Sequence, residues 1–145
     1  MIKNIIFDLD GTLANTSTDI IFSLNHALKR ANISKKVNLK TFKRLANRGS
    51  LFMIQNFLKK NNRSIKIINN YFLSHYKFNM CRKTQLKKNV LNFIKKCKKK
   101  NIQLFVSTNK SKKNAVLILK KLKILKFFKF IAGSDSFKYQ KPNPL

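Results

Sequence analysis

Acidic side chains are what this sequence most conspicuously lacks. It holds four, Asp8, Asp10, Asp19 and Asp135, against 33 lysines and arginines, for a formal net charge of +29. Cysteine and histidine are scarce as well. Cys81 and Cys97 have no CxxC spacing and no neighbouring histidine, and there are only two histidines, His26 and His75, so a zinc or histidine-based metal site is not expected and reduced thiols are. There is also no run of about 18 uncharged apolar residues, and Asp8 arrives before a signal-like apolar stretch has room to form. The expectation is a cytoplasmic protein with no membrane span.

Enough apolar residues remain to build a core. At 145 residues and 43% hydrophobic content, the chain fits one domain, or one core carrying a smaller insert. The positive charge raises nucleic-acid binding, because clustered lysines release counterions from a phosphate backbone. Here, however, the lysines spread over nearly everything after Asn32, together with an excess of Ile, Asn and Phe, as a compositional bias at tolerant surface positions would produce. Nucleic-acid binding is accordingly expected to be non-specific at most. The densest run, Lys95 to Lys100 around Cys97, reads as the solvated face and last turn of a helix, where cations favour the helix dipole.

Against this background the placement of the acids is informative. Two of the four fall within three positions, in Phe7-Asp8-Leu9-Asp10-Gly11-Thr12-Leu13. The preceding Ile5-Ile6-Phe7 reads as a short buried strand, and Gly11 marks its break into a loop. Side chains alternate across a strand, so Asp8 and Asp10 are expected to address one small site together.

Further along, Asn15 to Thr18 supply capping residues for an amphipathic helix bearing Ile20, Ile21, Leu24, Ala27, Leu28 and Ala31. Asp19 falls in its first turn, where a carboxylate suits the dipole, and is given a structural role. Three short helical segments follow between Asn38 and Tyr76, with turns at Arg48-Gly49-Ser50 and Asn61 to Ser64; Tyr71, Phe72, Tyr76 and Phe78 are expected to be core aromatics. A helix with Val90, Leu91, Phe93, Ile94 and Cys97 on its inner face then leads to a second strand, Ile102 to Val106, ending in Ser107-Thr108-Asn109-Lys110. A helix from Ser111 to Leu122 precedes a third strand, Phe127 to Ala132. Strands alternating with helices argue a parallel α/β sheet with an all-helical insert, of the kind that serves as a lid over a site at the strand ends.

In an open parallel sheet, ligands sit beyond the carboxyl ends of the strands. The first strand ends in two carboxylates, the second in a hydroxyl, an amide and an ammonium, and Lys141 lies in the loop after the third. A carboxylate nucleophile facing hydroxyl and ammonium donors is what phosphoryl transfer through an aspartyl-phosphate requires.

These motifs resemble the haloacid-dehalogenase-like hydrolases, in their phosphoglycolate phosphatase branch: Asp8 to Leu13 as the signature, Ser107 to Lys110 as the second motif, and Lys141 in Lys-Pro-Asn-Pro as the third. The resemblance implies a three-layer α/β Rossmann-like core over 1–14 and 86–145, interrupted by a helical cap over 15–85. It implies a phosphatase of small anionic phosphorylated substrates, 2-phosphoglycolate first among them. Asp8 would be the nucleophile, Asp10 the general acid and base, Thr108 a phosphoryl donor and Lys141 the charge clamp. Gly11, Thr12, Asn109 and Lys110 would contact substrate. Mg²⁺ would be held by Asp8, by the main chain of Asp10 and by a further carboxylate on a Gly-Asp-rich loop after a fourth strand. No such segment follows Lys141 in these 145 residues, and Asp135 matches the substrate-side loop of the third strand. The expectation is therefore an incomplete core whose first strand has an open edge, with reduced stability, aggregation or partner pairing unless the missing part arrives from elsewhere, for instance from another chain. The alternatives are a truncated, non-catalytic remnant or a basic nucleic-acid-binding protein on the same fold. Between Cys81 and Val90, Thr84 to Asn89 departs from the family's Pro- and Gly-containing turn, at the hinge between cap and core.

Overall fold

The computed structural model describes residues 2–46, 49–59 and 63–143. The turn positions assigned to Arg48, Asn61 and Asn62, and the terminal Pro144 and Leu145, lie outside the described residues. The elements are β1 (Asn4–Phe7), β2 (Ala14–Asn15), α1 (Ser17–Arg30), α2 (Leu39–Leu45), α3 (Ser50–Leu58), α4 (Arg63–Asn79), β3 (Gln85–Leu86), α5 (Val90–Lys99), β4 (Gln103–Ser107), α6 (Lys112–Lys121) and β5 (Phe130–Ala132). They form two compact units, Met1–Asn15 with Gln85–Leu145, and Thr16–Thr84.

The first unit is built on a parallel sheet in the order β1-β4-β5. Register places Ile5 beside Leu104, Phe7 beside Val106, and Val106 beside Ile131, so these side chains share one face. Leu104, Val106 and Ile131 are buried, as are Ile94 and Cys97 of α5 and Ala115, Ile118 and Leu119 of α6. The two crossovers step through the sheet in the same direction, and right-handed connections then put α5 and α6 on the same face. Phe7 meets Phe93 and Phe128 edge-on, each at 6.1 Å between ring centroids. This is the parallel α/β class expected from the alternation of elements.

Three details differ from the sequence reading. The third strand is shorter: Leu125–Phe127 forms a 3-10 turn and only Phe130–Ala132 pairs with β4. Phe128 turns onto Phe7 instead of alternating along a strand, because the apolar run serves the core before it serves the ladder. Leu91 and Phe93 of α5 stay 37% and 48% exposed, leaving Ile94 and Cys97 as its buried residues. Finally, β2 and β3 form a small antiparallel sheet, Ala14 opposite Leu86 and Asn15 opposite Gln85, at the departure from the family's turn. Lys87 reinforces it, its N–H donating to the Leu13 carbonyl and its ammonium to that of Gly11.

The second unit is helical. Its core joins Ile20, Leu24, Ala27 and Leu28 of α1 to Val37, Met53, Ile54, Ile65, Ile68, Phe72 and Tyr76. Asn25 clamps the link after α1, accepting from the Val37 N–H at 2.8 Å and donating to its carbonyl at 2.9 Å. Asn38 caps α2 through the Thr41 N–H. Asp19 is buried, and its role is structural by a stronger mechanism than the dipole. Its carboxylate accepts the N–H groups of Lys83 and Thr84 and the Thr84 hydroxyl, the last at 2.7 Å. Phe72 and Tyr76 are buried as expected, whereas Phe78 is 79% exposed, one position off the inward stripe of α4.

Candidate active site

β1 releases its chain at Asp8, and the turn that follows is tied by its own main chain. The Leu13 and Ala14 N–H groups donate to the Leu9 carbonyl, and the Gly11 N–H donates to the Ala14 carbonyl. Gly11 takes a φ of +80°, in the left-handed region where glycine alone is unstrained. Leu9 is fully buried between two carboxylates that keep 41% and 31% of their side-chain surface, the alternation expected of a strand end.

The second motif continues directly from β4. Thr108 is buried, its N–H donates to the Ala132 carbonyl, and its hydroxyl oxygen accepts the Lys110 N–H. The hydroxyl hydrogen is left to donate elsewhere. Lys110 lies 3.4 Å from Asp10 through Nζ and Oδ2, with its side chain only 9% exposed. Its carbonyl accepts the Ser134 N–H, joining the loops after β4 and β5. Asn109 donates to the Lys141 carbonyl at 3.2 Å.

Lys141 closes the cluster. Its ammonium sits 2.8 Å from Asp8 Oδ1 and 2.7 Å from the Ser107 carbonyl. The structure thus brings together Asp8, Asp10, Thr108, Asn109, Lys110 and Lys141 from three strand ends. Gly11 and Thr12 occupy the turn beside them. The Ser107 carbonyl was not anticipated, since a main-chain oxygen carries no sequence signal. Gly133 is likewise legible only in three dimensions: a Cβ there would collide with the backbone of Ser111 and Lys112. Asp135 serves that same junction, accepting the Lys112 N–H at the start of α6 at 2.7 Å.

Carboxylate and carbonyl oxygens are the hard donors that Mg²⁺ takes, usually one or two carboxylates with water and phosphate completing the octahedron. The Asp8 carboxylate and the Asp10 carbonyl fit that ion in kind. No group of three or more His, Cys, Asp or Glu suited to a metal occurs among the described residues.

Fold and site together define an α/β protein with a carboxylate–lysine cluster at the carboxyl ends of a parallel sheet. The comparison with known proteins takes this further. Residues 5–145 match the family of haloacid dehalogenase-like hydrolases, and the chain belongs to that family. It is 32% identical over 145 residues to a phosphoglycolate phosphatase of Mesorhizobium japonicum, covering 97% of this chain and 63% of the relative. A phosphoglycolate phosphatase of Agrobacterium fabrum is 29% identical over 143 residues, covering 95% of this chain and 61% of the relative. The chain thus spans less than two thirds of the length of these curated relatives. Among solved structures, a predicted phosphoglycolate phosphatase from Haemophilus somnus superposes with a TM-score of 0.89 at 29% identity, over 99% of this chain and 67% of that one.

Proposed function

We propose that this chain carries the phosphoryl-transfer residues of a Mg²⁺-dependent phosphomonoester hydrolase acting on a small phosphorylated metabolite, with 2-phosphoglycolate as the substrate. The observation that supports this most directly is the Lys141 to Asp8 contact, made across 133 residues of sequence at the mouth of the sheet. A surface lysine seeking any carboxylate has no reason to be held at the same time by the Ser107 carbonyl.

In this reading an Asp8 oxygen attacks phosphorus, the ester P–O bond breaks, and Asp10 gives its proton to the departing alkoxide. Asp10 then takes a proton from water as that water attacks the aspartyl-phosphate, returning Asp8 and releasing phosphate. Lys141 offsets the charge gathered at Asp8 and the phosphoryl oxygens, and the Thr108 hydroxyl donates to one of them. Lys110 keeps Asp10 within the site. Mg²⁺, held by the Asp8 carboxylate and the Asp10 carbonyl, would supply further neutralisation of the phosphoryl charge. The helical unit is assigned the part of a cap, and the location is cytoplasmic.

A second reading is a chain that binds phosphoryl groups without turnover. The donor set favours it, because no group of three or more His, Cys, Asp or Glu suited to a metal occurs among the described residues. Assay of the purified 145-residue chain on 2-phosphoglycolate and an aryl phosphate, with and without Mg²⁺, separates the two. Turnover that needs Mg²⁺ and vanishes in Asp8→Asn is the expected result. Absence of turnover in protein that is folded by circular dichroism overturns the catalytic reading for this chain.

A further inference from the structure

The outward face shared by α1 and α4 interleaves rings with cations. Along α1, Phe22, His26 and Arg30 follow one another at four-residue spacing and so form a row about 12 Å long. Phe22 meets the His75 ring at 5.2 Å between centroids, His26 stacks on the same ring at 3.9 Å, and the Arg30 guanidinium lies 4.2 Å over the Tyr71 ring. Just past the end of α4, Arg82 comes over the Phe22 ring at 5.7 Å, held by the Asn79 side-chain oxygen at 3.1 Å. Phe78 stands three residues on from His75, with the Lys77 ammonium 5.6 Å from its ring. The inward places on these helices belong to Leu24, Leu28, Phe72 and Tyr76, which leaves Phe22 50% and Phe78 79% exposed.

Charge and ring chemistry together decide what fits here. The helical unit, Thr16–Thr84, contains a single acid, Asp19, and that carboxylate is buried and engaged by the main chain at Lys83 and Thr84. Arg30 and Arg82 therefore have no carboxylate of their own unit to answer them. A second copy brings the same cations, and two chains of +29 repel. A duplex hides the faces of its bases, and an acidic peptide brings charge without flat rings. A single strand of nucleic acid supplies phosphates for the guanidiniums and open base faces for the phenyl rings. Because Phe22, His26, His75 and both guanidiniums are already held by stacking, little side-chain freedom is left to lose on binding.

We propose that the α1–α4 face binds single-stranded nucleic acid without reading its sequence, bases stacking on Phe78 and Phe22 and phosphates lying at Arg30 and Arg82. The face lies wholly within the helical unit and uses none of the residues around Asp8. The proposal therefore holds whether or not the chain hydrolyses phosphate esters.

A chain this basic attracts any polyanion, so the test turns on the bases and on single rings. Fluorescence anisotropy of the whole chain at about 0.15 M salt compares a labelled octathymidylate without terminal phosphates and an abasic octamer of the same charge. The thymidylate is expected to bind at least about fivefold more tightly than the abasic strand. Phe78→Ala, at an exposed position, and Phe22→Leu, which keeps an apolar contact with His75 but loses the ring, are each expected to shrink that advantage. Lys98→Gln combined with Lys99→Gln removes two charges from the other unit and is expected to weaken both octamers alike. Equal binding of the two octamers, or an advantage that both ring substitutions leave intact in protein folded by circular dichroism, overturns the proposal in favour of plain charge attraction. Displacement of the thymidylate by an equimolar octaglutamate peptide overturns it in favour of an acidic protein partner.

Discussion

At the scale of single residues, two aspartates with opposite duties illustrate how burial sorts the scarce acids. Asp8 is 41% exposed and its lysine 42%, so the pair lies in high dielectric and contributes little to folding. Lys141→Met is therefore expected to change stability by less than about 1 kcal/mol in urea titration. In a chain that turns over, the same substitution is expected to lower kcat by about 10²-fold or more, since it removes charge stabilisation where charge develops. Asp19 is the reverse case. It keeps 3% of its surface and accepts three separate donors from residues 83 and 84. Asp19→Ala leaves those donors without their acceptor and is expected to cost about 2–4 kcal/mol, read as a lowered urea midpoint. Phosphate binding, measured by calorimetry on the folded fraction, is expected to survive that change, because Asp19 takes no part in the cluster around Asp8.

At the scale of elements, the packing of α1 on α4 carries a titratable contact. His26 and His75 stack at 3.9 Å between centroids, tilted by 20°, with Phe22 at 5.2 Å from His75 and the Ser23 hydroxyl 3.1 Å from its Nδ1. Burial is the first cause that pulls the His75 pKa below its usual 6.5, followed by the charges of His26 and Arg82. Asn79, on the next turn of α4, faces the same ring and is neutral. Because the folded value is lowered, the unfolded chain binds the proton more readily. The contribution of the neutral ring is thus complete above pH 6.5 and is lost as pH falls below it toward the folded value. Urea midpoints are expected to drop between pH 7.5 and pH 5, and His75→Gln is expected to shrink that drop. A pH dependence unchanged by the substitution sends the effect elsewhere.

At the scale of the whole molecule, a net charge of +29 on 145 residues sets a self-repulsion that folding must overcome. Sodium chloride shortens the screening length from about 30 Å at 0.01 M to about 8 Å at 0.15 M, which weakens repulsion between distant lysines more than contacts at hydrogen-bond distance. Raising salt across that range is expected to raise the urea midpoint. A midpoint that falls instead means that ion pairs outweigh the repulsion. The same charge attracts any small anion without selecting among them, so discrimination between anions rests with local geometry.

Much of this protein is written in local pattern. Alternation in Ile5 to Asp10 fixed where the first carboxylates stand, because a strand has a period of two and a buried Leu9 leaves Asp8 and Asp10 on the other side. Helical spacing in Ile20 to Leu28 gave the inner face of α1 for the same kind of reason. Three things needed the folded chain. The β2 and β3 pairing involves two residues on each side, too few to show a period, and joins Asn15 to Gln85 and Ala14 to Leu86, 70 and 72 positions apart. The end of the third strand was set by whether Phe128 serves the core or the ladder, a contest only the position of Phe7 resolves. And the meeting of Lys141 with Asp8 and the Ser107 carbonyl depends on three strand ends arriving together, where a main-chain oxygen with no side-chain signature holds the lysine in place. The sequence by itself determined which residue types face which way, since that is local sterics and periodicity. The tertiary structure decided who meets whom, since distances between remote segments are set by the sheet that carries them.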